Sequence, residues 1–489
     1  MRYNGFVGPS YLSISPNVNS ERSVNLYPEV VDAGNPKSPM HLVGTPGDTL
    51  FVDLGQGPVR GMAYEDGRAF AVAGGRFFEV FANGTSTNIG PVAIAGDAAQ
   101  IVLNGKQGHQ AFTLSGGRGY IYDLVSAVFG EIASPGFPVG ATQAGFIDGY
   151  YVLIVPGTSI FGISSLFNGL NWDTLDRAIR STAPDNLVGM QVDHRELWLL
   201  GSERGEVWVD SGNPSFPLEP LRGTTMQVGL FAPASFVKIR DEHALAWVGL
   251  TDGGPRVWMA KGGYEPKPIS TNAVDRILQG YGDDAVRQAT AYSYQEHGHA
   301  FYVLLVPTAP VAWVYDVSDS EKAGRALWHE RARWNQAQGK EELPTGQCHM
   351  YAFGRHLVGS RDDGKIYSQS LTTYTEHGNL IRRIRRAPYI ASDKKQQFHR
   401  SFELDYEPGV ALVAGQGSDP EAVLRWTNDS WATQTLGRAE KLGKVGETQT
   451  QAIWSQLGAS RNRAYELEWT EPIACRLTDA FLDVSLGVF

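Results

Sequence analysis

The chain has 489 residues, with 52 acidic and 42 basic side chains, a net charge of −10, 56 Gly, 12 Trp and only 19% charged residues. An acidic chain is a poor candidate for gripping nucleic acid through its phosphates. Low charge with abundant aromatics also argues against coiled coils and disordered tails, and favours short strands joined by tight turns.

The first residues, MRYNGFVGPSYLSISP, carry no apolar signal segment. Residues 1–58 read as an extended N-terminal arm with strand-like pieces around Ser23–Glu29 and Pro39–Phe51, broken by a Thr45-Pro46-Gly47 turn. An arm of this kind can close a ring or reach a neighbour.

From residue 59 to 371 one phrase recurs: apolar strand, polar turn, apolar strand, Gly-bearing turn, third strand. Its copies begin near Met62, Ile101, Gly145, Met190, Val237, Ala291 and Tyr351. Their spacing of roughly 40–60 residues brackets the period of propeller blades. The second copy carries Asn104-Gly105, a hairpin signal. Runs such as Tyr150–Val155 and Phe301–Val306 are far too short to span a bilayer and suit buried strands. A lone sheet of three or four strands cannot bury both faces, whereas blades in a ring can. Trp198, Trp208, Trp247, Trp258 and Trp313 sit inside these strands, where they would fill the space between blades. Short helices are expected at Ala273–Leu278 and Asp284–Ala291. Residues 372–489 leave the phrase and give strands at Ser401–Tyr406, Val423–Thr427, Gln449–Trp454, Tyr465–Thr470 and Ala474–Val484. The fold class is therefore all-β: a propeller of about seven blades, six being the alternative, plus a C-terminal β-sandwich-like module. An ordinary array such as tandem sandwiches is the competing architecture.

Common catalytic signatures are absent: no G-x-S-x-G elbow, no P-loop, no H-E-x-x-H. Cys348 and Cys475 are too few for a metal cluster and offer one disulfide at most; folding in a reducing compartment is the simpler reading. His297 and His299 could share one face of a strand and meet a metal, but their place in a blade turn suits solvated residues better. The acidic pairs Glu65-Asp66, Asp241-Glu242, Asp283-Asp284 and Asp362-Asp363 would serve a glycosidase only if they converged at the ring centre, and such steps are ordinary turn chemistry. No catalytic residue, metal site or cofactor is assigned. The strongest charge feature is residues 382–400, with Arg382, Arg383, Arg385, Arg386, Lys394, Lys395 and Arg400. It reads as a solvated linker between ring and tail module, or as a contact for DNA or an acidic partner.

Ordered along the chain are phrases that resemble a known family. They are Val24–Glu29, Leu42–Gly47, PISTNAVDRILQGY through FYVLLVP and VAWVYDVSDS to ALWHER, then Val423–Asp429, Gly443–Glu447, Leu457–Arg463 and Glu466–Val484. Together they resemble the tail hub or nozzle proteins of short-tailed bacteriophages, the packaged-DNA stabilisation family. The family's Asp-rich turn is degraded here to Asp429-Ser430-Trp431-Ala432, which puts cation binding by that loop in doubt. The resemblance implies a structural virion protein of the phage tail and not an enzyme, assembled in the host cytoplasm. Six copies would form a ring below the portal and adaptor proteins, beside fibres or tailspikes and closed by a needle or plug. The ring would retain packaged double-stranded DNA and let it pass at ejection. A propeller glycan hydrolase and a protein-binding propeller scaffold are the alternatives.

Overall fold

The structure, a computed structural model, describes residues 1–94, 98–180 and 184–487. Seven sheets of the propeller type each begin with a strand that contains one of the seven repeat starts. These first strands are Val59–Glu65, Gln100–Leu103, Ala144–Ile147, Leu187–Asp193, Val237–Ile239, Thr290–Glu296 and Gly346–Ala352. Each lies against the first strand of the next sheet, and the seventh lies against the first, so the ring is closed. We number the blades 1 to 7 in this order.

Strand alternation explains the packing. A strand points successive side chains to opposite faces. In blade 1, Arg68–Ala73 sends Phe70 and Val72 into the layer shared with blade 2, and Ala69, Ala71 and Ala73 into the layer shared with blade 7. In blade 4, Glu196–Gly201 sends Leu197 and Leu199 toward blade 3 and Trp198 and Leu200 toward blade 5. The tryptophans lie in these layers: Trp208 between blades 3 and 4, Trp198, Trp247 and Trp258 between blades 4 and 5, and Trp313 in the large core around blade 6. Burial of such rings, nearly complete for all but the partly exposed Trp258, removes large apolar surfaces from water.

Blades 1 to 6 take their fourth strand from the sequence that follows the third. Blade 7 does not. Its outer strand is Gly47–Asp53, which pairs antiparallel with Lys365–Ser370. The rest of residues 1–58 is shared out as well. Leu26–Val30 and Met40–Gly44 join Arg476–Leu486, Gln397–Tyr406 and Ala452–Ser460 in one sheet of a C-terminal sandwich. Ser20–Val24 lies between the last strand of blade 6, Trp328–Arg331, and the strand Arg383–Arg386. That strand continues through Asn462–Trp469, Glu421–Thr427 and Arg438–Lys441, so blade 6 and the second sandwich sheet form a single sheet of eleven strands. Between the two sandwich sheets lies a core that includes Tyr3, Phe6, Leu42, Phe402, Trp454, Tyr465 and Trp469.

Local readings differ from the structure at a few points. Asn104-Gly105 does not make a tight hairpin; a helical turn, Gly105–Gly108, fills the connection, and the buried Asn104 side chain accepts from the Gln110 N–H at 2.7 Å. The first expected helix spans Asn272–Tyr281, capped by the Thr271 hydroxyl, and the second spans only Asp283–Arg287. A helix at Val317–Ala323, capped by Asp316, separates the third and fourth strands of blade 6. Cys348, in blade 7, and Cys475, in the sandwich, are both free. Among the described residues no helix is long and apolar enough to cross a membrane.

Candidate functional site

The arginine-rich segment forms the joint between ring and sandwich. Arg383–Arg386 is a strand held on one side by Ser20–Val24 and on the other by Asn462–Trp469. Its side chains alternate between two faces, and the two faces have different partners. On one face Arg382 meets Glu468 at 2.8 Å and Glu341 at 3.4 Å, while Arg386 meets Glu466 at 2.8 Å. Trp334 lies under Arg382 and Trp431 under Arg386, at 4.4 and 4.0 Å. These pairs belong to a chain of charges that crosses the joint: Glu330 of blade 6 to Arg22, Arg22 to Glu341, Glu341 to Arg382, Arg382 to Glu468, and Glu468 to Arg425. Burial opposes ionisation of Glu468, but Arg382 and Arg425 outweigh it and hold the carboxyl below its usual range.

On the other face Arg383 and Arg385 are buried. The Arg385 guanidinium donates to the carbonyls of Gly5, Phe6, Gly8 and Pro9, to Ser23 Oγ, and to the Glu21 carboxylate at 3.1 Å. It therefore ties the N-terminal loop to the joint. Arg383 packs beside Gly44 and Cys475, where burial pushes its pKa down. Guanidiniums so enclosed have no free face for a phosphate. Lys394 and Lys395 are exposed on a tight turn, and Arg400 is exposed with Asp483 at 3.8 Å. The candidate set thus divides: Arg382, Arg383, Arg385 and Arg386 are built into the joint, and three cations remain on the surface. The acidic partners Glu330, Glu341, Glu466 and Glu468 were not singled out in the sequence. The signal was there in the alternation Glu466-Leu467-Glu468, in which Glu466 lies opposite Arg386 and Glu468 lies opposite Ile384, within reach of Arg382.

The degraded turn closes on itself. Asp429 accepts from Thr427 Oγ1 at 2.7 Å and from Thr433 N and Oγ1 at 2.9 and 2.6 Å. Trp431 donates to Ser20 Oγ at 3.0 Å, so the loop clasps the joint.

His297 and His299 part company. His297 is exposed in the turn with φ 51°, while His299 is buried at the start of the next strand. His299 Nδ1 lies 2.7 Å from Asp316 and 3.7 Å from Asp319, and its Nε2 lies 3.8 Å from Glu29. Burial disfavours a charged ring, yet the bonds to Asp316 and Glu29 push its pKa up to about 10. His299, Asp316 and Asp319 have ligand atoms close enough for an ion. However, Asp319 already accepts from Val30 N and pairs with Lys322, and Asp316 accepts from Asp319 N. The cluster is a closed ion network between blade 6 and Leu26–Val30 of the sandwich.

At the ring centre the seven first strands enclose a bore of about 2010 Å³. Every first-to-second-strand turn at one mouth holds a non-glycine residue in the left-handed region: Asp66, His109, Asp148, His194, His243, His297 and Phe353, with φ between 45° and 55°. Of the acidic pairs, Glu65, Asp241 and Glu242 line the bore. Glu242 is bound by Lys261 at 2.5 Å, and Asp362 and Asp363 pair with Arg333 and Lys365 elsewhere.

A family model described as bacteriophage P22 Gp10, beta-propeller, matches residues 18–374. No curated protein matches the sequence. Among solved structures, the N-terminal domain of Nup159 is similar with TM-score 0.39 and 10% identity, covering 72% of this chain and 98% of that one. A streptogramin B lyase gives 0.39 and 11%, covering 71% and 98%. The extracellular domain of the putative one component system BT4673 from B. thetaiotaomicron gives 0.43 and 7%, covering 77% and 43%.

Proposed function

The chain belongs to the phage-stabilisation family of the bacteriophage P22 Gp10 β-propeller, and from that premise we propose that it is a hub or nozzle subunit of a short-tailed phage tail. Six copies assemble as a ring that extends the channel of the portal and adaptor, retains packaged DNA and releases it at ejection. The observation that carries this reading is the span of the family match, which runs from Ser20–Val24 in the joint through all seven blades.

In this reading each propeller is one stave of the wall, and DNA passes through the centre of the ring of subunits. A net charge of −10 suits a wall that DNA slides past without adhering. Assembly takes place in the host cytoplasm, with the adaptor above and a needle, plug or fibres as further partners.

Mass photometry of the purified chain, alone and with the portal–adaptor complex, tests the proposal together with negative-stain images of virions. The expected result is a particle of six subunits, alone or on the connector, and a six-fold ring at the tail position. A chain that stays monomeric in both conditions and is missing from virions overturns it.

A further inference from the structure

Two histidines at the bore mouth come from successive blades. His194 sits on the first turn of blade 4, and His243 ends the short 3₁₀ turn Arg240–Glu242 in the matching position of blade 5. Both backbones are left-handed, with φ 49° and 46°, so two tight turns fix where the rings start. His194 Nε2 and His243 Nδ1 are 2.9 Å apart, the ring centres are 4.6 Å apart, and the ring planes are tilted by 58°.

These distances can be compared with coordination geometry. Two imidazole nitrogens bound about 2.05 Å from one ion at a right angle stand about 2.9 Å apart, and their ring centres, about 1.15 Å further back, stand about 4.5 Å apart. A tetrahedral angle would separate the nitrogens by about 3.3 Å and the centres by about 5.2 Å. A straight hydrogen bond between the rings would also hold the centres about 5.2 Å apart. The observed pair fits the right-angled case on both distances.

A carboxylate completes the arrangement. Asp193 Oδ2 lies 2.9 Å from His194 Nδ1, and its other oxygen meets Lys238 at 2.5 Å. An Nδ1–H held by Asp193 leaves the lone pair on Nε2, the atom that faces His243. A metal-binding histidine usually has its second nitrogen held this way. The His194 side chain is 53% exposed, so an ion can reach the pair from solvent.

We propose that His194 and His243 form a divalent transition-metal site at the mouth of the bore, with Asp193 orienting His194. Right-angled imidazole ligation selects ions of octahedral or tetragonal preference, Cu²⁺ and Ni²⁺, over tetrahedral Zn²⁺. Water fills the remaining positions. A bound ion would cross-link blades 4 and 5 at their inner turns.

The test uses the full chain without a histidine tag. Calorimetric titration with CuCl₂ and NiCl₂ near pH 7.5 should give one equivalent bound in the micromolar range. His194→Asn and His243→Asn should each weaken that equivalent at least ten-fold, and the double variant should lose it. Pulsed electron paramagnetic resonance of the Cu²⁺ complex should report two imidazole nitrogens in the parent. Saturating Ni²⁺ should raise the Tm of the parent and not of the double variant. Both positions are exposed turns, and circular dichroism checks that the variants fold. An unchanged equivalent in a folded double variant overturns the proposal, as does parent binding only at millimolar metal.

Discussion

Arg385→Met separates a structural arginine from a DNA-contacting one. The Arg385 side chain is fully enclosed and is the shared donor to four carbonyls of the N-terminal loop, to Ser23 and to Glu21. Methionine fills part of the volume and supplies no donor. The loss leaves Glu21 without its guanidinium and several inward-facing carbonyls without a partner. Removing one member of a buried ion pair costs about 3–5 kcal/mol, and orphaned acceptors push the figure toward the upper end. Against a typical stability of about 5–15 kcal/mol, that is a third or more of the total. Urea unfolding followed by tryptophan fluorescence should shift to a lower midpoint by a matching amount, and hydrogen exchange should rise first at residues 3–10. Arg385→Lys should recover part of the loss, since an ammonium offers three donors where the guanidinium offers five. Lys394→Ala and Lys395→Ala, on the exposed turn, should stay within about 0.5 kcal/mol of the parent. An Arg385→Met variant within about 1 kcal/mol of the parent would refute the reasoning from burial and bonding.

Across the joint, a double-mutant cycle on Arg382 and Glu468 should give a coupling of about 1–2 kcal/mol at neutral pH. Because the folded carboxyl is held below its usual range, this stabilisation is present above the unfolded carboxylate pKa and should fade as pH falls through the folded value. His299 works in the opposite direction. Its folded pKa of about 10 lies above the ordinary imidazole value, so its contribution is complete below about pH 6.5 and is lost as pH rises toward 10. His299→Gln should lose about 3 kcal/mol at pH 7 and flatten the stability profile between pH 7 and 10, read from urea midpoints. In blade 7, a Cβ on Gly47 would meet the backbone oxygens of Thr373 and Thr375. Gly47→Val should therefore loosen the strand that closes the ring and lower the thermal midpoint by several degrees, as differential scanning fluorimetry would show.

The ring was legible because a blade is a local object. Three strands and two turns recur within one stretch of chain, and the alternation in Arg68–Ala73 or Glu196–Gly201 is visible without any partner. The joint was not legible, because it is built from long-range pairs. Ser20–Val24 meets Arg383–Arg386 more than 350 residues later, and no local period announces that pairing. Arg382–Arg386 read as a basic run because the sequence displays charge without showing what faces it. The answering carboxylates Glu330, Glu341, Glu466 and Glu468 come from three other segments. Gly47–Asp53 resembled an arm strand for the same reason: nothing near it in sequence is its partner.

The pairing inside the joint also changes what the net charge means. Four arginines of the stretch that read as a solvated linker, or as a contact for DNA or an acidic partner, face inward or are matched by carboxylates, so they add little positive potential to the surface. Under the proposed function, in which a duplex moves past a ring of subunits, repulsion acts over roughly one Debye length, about 8 Å at physiological ionic strength. Only side chains that line the passage then matter, and the overall −10 is a weak guide to them. The exposed cations of the original stretch, Lys394, Lys395 and Arg400, are the ones whose position relative to the passage decides between sliding and sticking. If they face it, their removal should lower DNA retention in a salt-dependent way, with the slope of log affinity against log salt falling by about one for each phosphate no longer neutralised. If they face outward, the slope should not move, while Arg385→Met should lower stability in either case.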